Sequence, residues 1–579
     1  MYKIQAIPIS PGIAFGPVLH YTSREVKAKR RDNSNPEQER LRLKTALEKA
    51  AIQLQEIRAR ASEQVSADET LIFEAQGMFL SDPALLDQVF ERIDAERCNA
   101  EYAWHEGIEH FAEMLARLED EYLASRAADV RDVGQRVLRL LAGVSDEPHM
   151  LAQPAIILAD DLTPADTVMF DKSFVLGFCT AQGGPTSHVA ILSRALGIPA
   201  VVGVAPWMNI LASSRDILLD GDTGELIADP VSEQIAAFQA RSERMQREYK
   251  KALTKAHEPA ITLDGKAIEV AANIGSPSEA DEALAMGAEG VGLFRTEFLF
   301  LDRETPPSEE EQIQAYHLAL QALAPRPVIF RTLDIGGDKP APYLSLPSEL
   351  NPFLGLRGVR LSLANPDLFA TQLRALLRAG SGYPVRVMFP MVDSLEDVQA
   401  ARRIFDQSRK ALVDAGLPHA LDIQIGIMVE VPSAALIADV LAQAVDFFSI
   451  GTNDLSQYTL AADRTNAAVA NRADALDPAV LRLIQMVINA AHQQGRWVGL
   501  CGELGGDPLA AAVLVGLGID ELSMNSRAIP LVKAALRRIT VRSAEQIAHK
   551  CLELYSAAEV RQFLREKLPA SSPSRENSH

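Results

Sequence analysis

From about Asn35 to Leu141, apolar residues recur every three or four positions through stretches rich in Glu, Arg, Ala and Leu and almost free of Gly and Pro. That period predicts four or so amphipathic helices packed as a bundle, with most of the charges on a solvated outer face. On either side the pattern changes. Residues 1 to about 22 are a short β-like opening, punctuated by Gly and Pro from Ile7 to Val18. After the bundle come brief apolar runs at Ala155–Ala159, Phe174–Phe178, Ala200–Val204 and Asp216–Leu219. The bundle therefore reads as an insertion between the first strand and the remainder of one α/β domain. Ser232 to His257 is charged, Gly-free and helical in character, a stiff connector rather than a loose linker.

Beyond Ile261 the chain offers strand-like runs at Ile268–Ile274, Gly290–Phe294, Val328–Thr332, Val385–Phe389, Ile425–Val429, Phe447–Ile450, Trp497–Leu500 and Glu521–Met524. Helical segments such as Pro277–Gly287, Asp393–Ala415, Ala434–Ala444 and Pro478–Gln494 fill gaps between them. Eight successive βα units predict a (β/α)8 barrel, a TIM barrel. The expected organisation is a multidomain α/β chain. Residues 1–22 and 145–230 form the α/β domain, 23–144 the helical subdomain, 231–260 the connector and 261–568 the barrel. Residues 569–579, rich in Ser and Pro, form a disordered tail.

Composition narrows the class. A chain of 579 residues that is 47% hydrophobic, with a mean hydropathy of +0.01, is expected to be a soluble protein of several domains. A net charge of −20 argues against nucleic acid or an anionic membrane as partner and suits a basic protein. Cys98, Cys179, Cys501 and Cys551 are scattered and form no Cys-x-x-Cys pair, which excludes a disulfide framework and a thiolate zinc site. Met1 to Gly12 lacks the basic start and apolar core of a secretory leader. The most apolar stretch, Leu509 to Ile519, is too short to cross a bilayer. The expected setting is the cytoplasm.

Two places carry candidate chemistry. The first is Gly183-Gly184-Pro185-Thr186-Ser187-His188-Val189-Ala190-Ile191, between a buried strand and a helical pattern with Val189, Leu192 and Leu196 on one face. The glycines permit a tight turn, and Thr186 and Ser187 are natural helix caps. His188 then falls at a helix N-terminus, where amide hydrogens and the helix dipole favour anions. An ordinary strand-to-helix turn would look the same.

The second place is the row of strand ends. Active sites of such barrels lie at the C-terminal ends of the strands, which here present Asn273, Arg295, Arg331, Glu430, Asp454 and Cys501. Each alone has a dull explanation, as a cap, a solvated arginine or a buried thiol. Together they suit a small, multiply charged anion with a metal. Glu430 and Asp454 can hold Mg²⁺ with positions left for substrate oxygens and water. Arg295 and Arg331 offer planar forks for phosphate, and Arg464 follows on a nearby loop. The long Gly- and Pro-rich segment after Arg331, with Gly336-Gly-Asp-Lys339 and Arg357, reads as a binding loop.

The loop at His188 resembles the phosphohistidine loop of enzymes that exchange phosphoryl groups with phosphoenolpyruvate. The stretches Gly290-Val-Gly-Leu-Phe-Arg-Thr-Glu-Phe298, Arg331-Thr-Leu-Asp-Ile-Gly-Gly-Asp-Lys339, Met428-Val-Glu430, Ile450-Gly-Thr-Asn-Asp-Leu455 and Cys501-Gly-Glu503 resemble Enzyme I of the bacterial sugar phosphotransferase system. The resemblance runs from Ser10-Pro-Gly-Ile-Ala14 to about Leu568. It implies a swivelling phosphohistidine domain whose inserted bundle docks the phosphocarrier HPr, followed by a phosphoenolpyruvate-binding barrel that forms a homodimer. It also implies site roles. His188 would receive the phosphoryl group and Cys501 would protonate the enolate. Glu430 and Asp454 would bind Mg²⁺. Arg295, Arg331, Asn453, Asp454 and Arg464, with Arg357 as a further phosphate contact, would bind phosphoenolpyruvate. Pro185 stands where arginine is common in that family, which puts one phosphate contact of the loop in question. A dikinase or synthase of the same superfamily would need an ATP-grasp domain, for which the helical insertion is too small. A sensor reporting the phosphoenolpyruvate level is the alternative of another class.

Overall fold

A computed structural model describes residues 2–568 except 23–25, 34, 63–75, 78, 117–120, 145–150, 152, 185–186, 302, 337–342, 345–348, 465 and 467–468. Pro185, Thr186, Lys339 and the 569–579 tail therefore lie outside the described residues. The chain divides into two compact units, Met1–Arg244 and Met245–His579. The division falls within a single helix, Ser232–Leu253, which occupies most of the expected connector.

In the first unit the strands are β1 (Tyr2–Gln5), β2 (Ile7–Ser10), β3 (Ile13–Tyr21), β4 (Ala155–Ala159), β5 (Val175–Thr180), β6 (Ala200–Val202), β7 (Asp216–Asp220) and β8 (Glu225–Ala228). They form one sheet in the order β1-β8-β7-β3-β4-β5-β6-β2. Strands β3 to β6 run parallel, and the outer neighbours pair antiparallel. Alternation along β4 explains why every one of its residues is apolar. Ile157 and Ala159 join one core while Ile156 and Leu158 join another, so the strand is buried on both faces.

The opening stretch read as one β-like segment is three strands, and the sheet is larger for it. Between β3 and β4 lie the helices Pro36–Ser62, Pro83–Glu96, Ala100–Ala116 and Glu121–Leu141. Along the first of them Leu43, Ala46, Leu47, Ala50, Leu54 and Ile57 are buried at helical spacing. Trp104 is fully buried in the bundle core, and its indole N–H donates to the Gly134 carbonyl at 3.1 Å. Ile57 also packs with Ala165, Val168 and Leu192, so the bundle abuts the helix His188–Leu196.

In the second unit β9 (Glu269–Ile274), β10 (Val291–Arg295), β11 (Val328–Arg331), β12 (Val385–Phe389), β13 (Gln424–Val429), β14 (Phe447–Ile450), β15 (Trp497–Leu500) and β16 (Glu521–Met524) close a parallel barrel. Each strand lies on the run expected for it, to within a residue at the ends. Val328 and Phe330 on β11, and Ile425, Ile427 and Val429 on β13, face the surrounding helices. Ile329 and Met428, of the opposite parity, point inward with Leu293, Met388, Phe447 and Cys501. Buried Lys533 donates to the carbonyls of Ala256 and Gly287 and pairs with Glu289 at 2.8 Å. These contacts tie the chain just past the connector helix to the barrel.

Candidate active site

Side-chain period 2 builds the mouth of the barrel. Two residues beyond the inward-facing Leu293, Ile329 and Met428 come Arg295, Arg331 and Glu430, which therefore emerge on the inner side at the top of their strands. Cys501 follows β15 with the same parity as Trp497 and Gly499. Helix Thr452–Leu460, directly after β14, carries Asn453 and Asp454 in its first turn. A cavity of about 280 Å³ opens here, lined by Arg295, Arg331, Arg357, Arg464, Glu430, Asn453, Asp454 and Cys501, with Asp334, Phe353, Met428 and Glu503 among the remaining walls. Asn273 stands behind it, its side-chain amide donating to the Cys501 carbonyl at 2.9 Å. His188 belongs to the first unit.

Charges alternate through this mouth. Arg331 is buried, with Nη2 donating to Glu297 Oε1 at 2.9 Å and Nη1 lying 3.0 Å from Asp334 Oδ2. Arg357, also buried, donates Nη2 to Asp334 Oδ2 at 3.1 Å and Nη1 to Asp454 Oδ1 at 3.2 Å. Half-exposed Arg464 approaches the same Asp454 oxygen at 3.6 Å. Arg295 is exposed and has no carboxylate partner among the described residues. Neighbouring carboxylates keep Arg331 and Arg357 firmly charged against the pull of burial.

Glu430 is fully buried, and burial, with Asp454 and Asp334 nearby, pushes its carboxyl well above the usual carboxylate range. One of its oxygens accepts from the Met391 amide. The other, Oε2, has no hydrogen-bond partner. A Cβ at Gly451 would stand 3.1 Å from that oxygen, so the glycine keeps the space beside it clear. An orphaned carboxylate oxygen next to Asp454 suits a hard cation that takes its remaining ligands from substrate and water. Among the described residues, no group of three or more His, Cys, Asp and Glu is placed to hold a metal. Two carboxylates would be the protein's share.

Cys501 lies among Leu293, Ile329, Met388, Met428 and Phe447, and burial pushes it up to about 12, above the ordinary thiol value of about 8.5. It is a neutral thiol throughout the physiological range.

In the first unit Gly183 has φ +105, a turn that a side chain would strain. Ser187 caps the helix, its hydroxyl accepting from the Ala190 amide at 3.4 Å, and His188 is the helix's first residue. Sequence reasoning missed Glu297 and Asp334. Both stand within three residues of a strand-end arginine in the stretches already singled out, and that spacing was the available signal.

Three family models match the chain. They are the PEP-utilising enzyme N-terminal domain over residues 5–126, the mobile domain over 151–224 and the PEP-binding domain over 249–541. A phosphoenolpyruvate-protein phosphotransferase of Geobacillus stearothermophilus is 44% identical over 563 residues, covering 97% of each chain. One of Bacillus subtilis is 41% identical over 567 residues, covering 98% of this chain and all of its own. An NMR solution structure of Enzyme I (nEIt) is 35% identical with a TM-score of 0.37, covering 42% of this chain and 99% of its own.

Proposed function

The chain belongs to the PEP-utilising enzymes, within them to the phosphoenolpyruvate-protein phosphotransferases, and we propose that His188 carries the phosphoryl group between phosphoenolpyruvate and an HPr-type carrier. The reaction is the first step of the sugar phosphotransferase system. The observation that carries this reading is the convergence of four arginines, the carboxylates Glu430 and Asp454 and a buried thiol on one cavity at the strand ends.

Phosphoenolpyruvate brings a phosphate and a carboxylate, and Arg295, Arg331, Arg357 and Arg464 match that charge. Asn453 steadies the floor of the loop, its Oδ1 accepting from the Glu503 amide at 2.9 Å. Glu430 and Asp454 would hold Mg²⁺, which when bound supplies charge neutralisation at the substrate oxygens. The imidazole of His188 attacks phosphorus; an N–P bond forms and the bond to the enolate oxygen breaks. Positioning and the arginine charges do most of the work, since phosphoryl transfer asks little covalent chemistry of the protein. The enolate left behind takes a proton at carbon from the Cys501 thiol and leaves as pyruvate, and the thiolate regains a proton from solvent. Phosphohistidine then passes its group to the carrier.

A homodimer through the barrel belongs to the same reading on family resemblance. Sedimentation should show dimer favoured by phosphoenolpyruvate and Mg²⁺ through mass action. A reducing cytoplasm fits four cysteines that are all free. No described helix is long and apolar enough to cross a membrane.

The deciding experiment is incubation with labelled phosphoenolpyruvate, with and without Mg²⁺. Acid-labile label at His188 that passes to the carrier is expected. Label that fails to enter the protein would refute the reading.

A further inference from the structure

Asp334 lies three residues past β11 and is 4% exposed. Its Oδ2 is shared by two arginines, at 3.0 Å from Arg331 Nη1 and accepting from Arg357 Nη2 at 3.1 Å. Its Oδ1 accepts from Arg357 Nε at 3.3 Å, which completes a fork-to-fork pair. Its own backbone is fixed as well, since the Asp334 amide donates at 3.0 Å to the Glu297 oxygen that receives Arg331. A guanidinium is planar and rigid, so holding one edge decides where the other edge points. One carboxylate thus fixes the orientation of two guanidiniums and their distance from each other.

The surrounding backbone is shaped for this. A Cβ at Gly336 (φ +114) would lie 2.6 Å from Arg357 Cβ. A Cβ at Gly358 (φ +58) would lie 2.7 Å from Met391 Cβ and 3.3 Å from Asp334 Oδ1. Glycine at both positions lets the two loops close on the Asp334–Arg357 pair. Asp334 reaches the cavity wall, yet a carboxylate there would repel a phosphate and both its oxygens are already engaged. Contact with the substrate is therefore not its use.

We propose that Asp334 is a positioning residue that holds Arg331 and Arg357 in register for the phosphate of phosphoenolpyruvate. The inference rests on the phosphoenolpyruvate reading above. Removing one partner of a buried charge pair also costs stability, so the tests separate placement from folding.

In the full chain, Asp334→Asn keeps the shape and loses the charge. Its KM and dissociation constant for phosphoenolpyruvate with Mg²⁺ should rise by about 10- to 100-fold, as for other outer partners that orient a ligand. Uptake of phosphoryl from a phosphorylated carrier at His188 should stay unchanged, because that half-reaction uses none of these residues. Combined with Arg357→Met, the loss should fall well short of the product of the single losses. Unchanged phosphoenolpyruvate binding, or fully multiplicative losses, would overturn the proposal. If Asp334→Asn does not fold, Asp334→Glu keeps the charge but displaces it by one methylene in a space closed by Gly358. It should lose affinity similarly, and full affinity in that variant would equally overturn the positioning role. An unmodified protein that takes no phosphoryl group from phosphoenolpyruvate would instead sink the underlying reading, and would show it before any variant is made.

Discussion

Glu521 stands in register with Glu269 across the β16–β9 pair at the N-terminal end of the barrel, with one arginine, Arg386, reaching Glu521 at 3.7 Å. Arg386 lies over Trp497, which stacks on Phe447, and a Cβ at Gly292 would come within 2.5 Å of Glu521 Oε1. Burial, then Glu269, pushes the Glu521 carboxyl well above the usual range. Glu269 is raised too, by burial and by Glu289. A carboxyl raised in the fold holds a proton that the unfolded chain has lost. Its stabilising contribution is full below the ordinary value of about 4.3 and disappears as pH rises through the raised folded value.

Stability should accordingly decline from about pH 4.3 upward, at up to about 1.4 kcal/mol per pH unit for one group, and level off once pH passes the raised folded value, as melting temperatures across that range would show. Glu521→Gln should flatten that decline. An identical slope between about pH 4.3 and the raised folded value in the variant would acquit Glu521.

His188→Ala should abolish acid-labile phosphoenzyme while phosphoenolpyruvate binding survives, because the candidate binding groups all lie in the second unit. Rapid-quench labelling and equilibrium binding report the two halves separately. Phosphate still attached to the variant would move the acceptor elsewhere.

A fragment of residues 1–244 keeps the sheet, the bundle and His188. It should accept phosphoryl from a phosphorylated carrier and ignore phosphoenolpyruvate. Direct labelling of the fragment by phosphoenolpyruvate would mean that the two functions are divided wrongly.

Cys501 stays a neutral thiol until about pH 12, so its use as an acid should show no break near pH 8.5. Exchange of pyruvate methyl protons with deuterated solvent should slow by about 100-fold or more in Cys501→Ala. Phosphoenolpyruvate binding should hardly change. Exchange as fast as in the unmodified protein would leave the thiol a packing residue.

Much of this was legible in the sequence. Period 2 and period 3.6 separate barrel strands from bundle helices, because burial of a repeating face is a local demand that each segment must meet alone. The same alternation that made Ile329 and Met428 inward put Arg331 and Glu430 at the mouth. Cap chemistry likewise marked the helix start at His188 through Ser187.

Other features depended on closure of the fold. That Asp334 serves Arg357 as well as its near neighbour Arg331, that Glu430 keeps an oxygen without a partner and that Cys501 is pushed up to about 12 are consequences of neighbours far apart in the chain. Arg331 and Arg357 meet at Asp334, and Glu521 meets Arg386, only when the strands have closed and water is gone. A local pattern tells which face of a segment is buried. The charge state and orientation of a buried polar group depend on desolvation and on the particular partners that share its cavity, and the tertiary structure alone decides those.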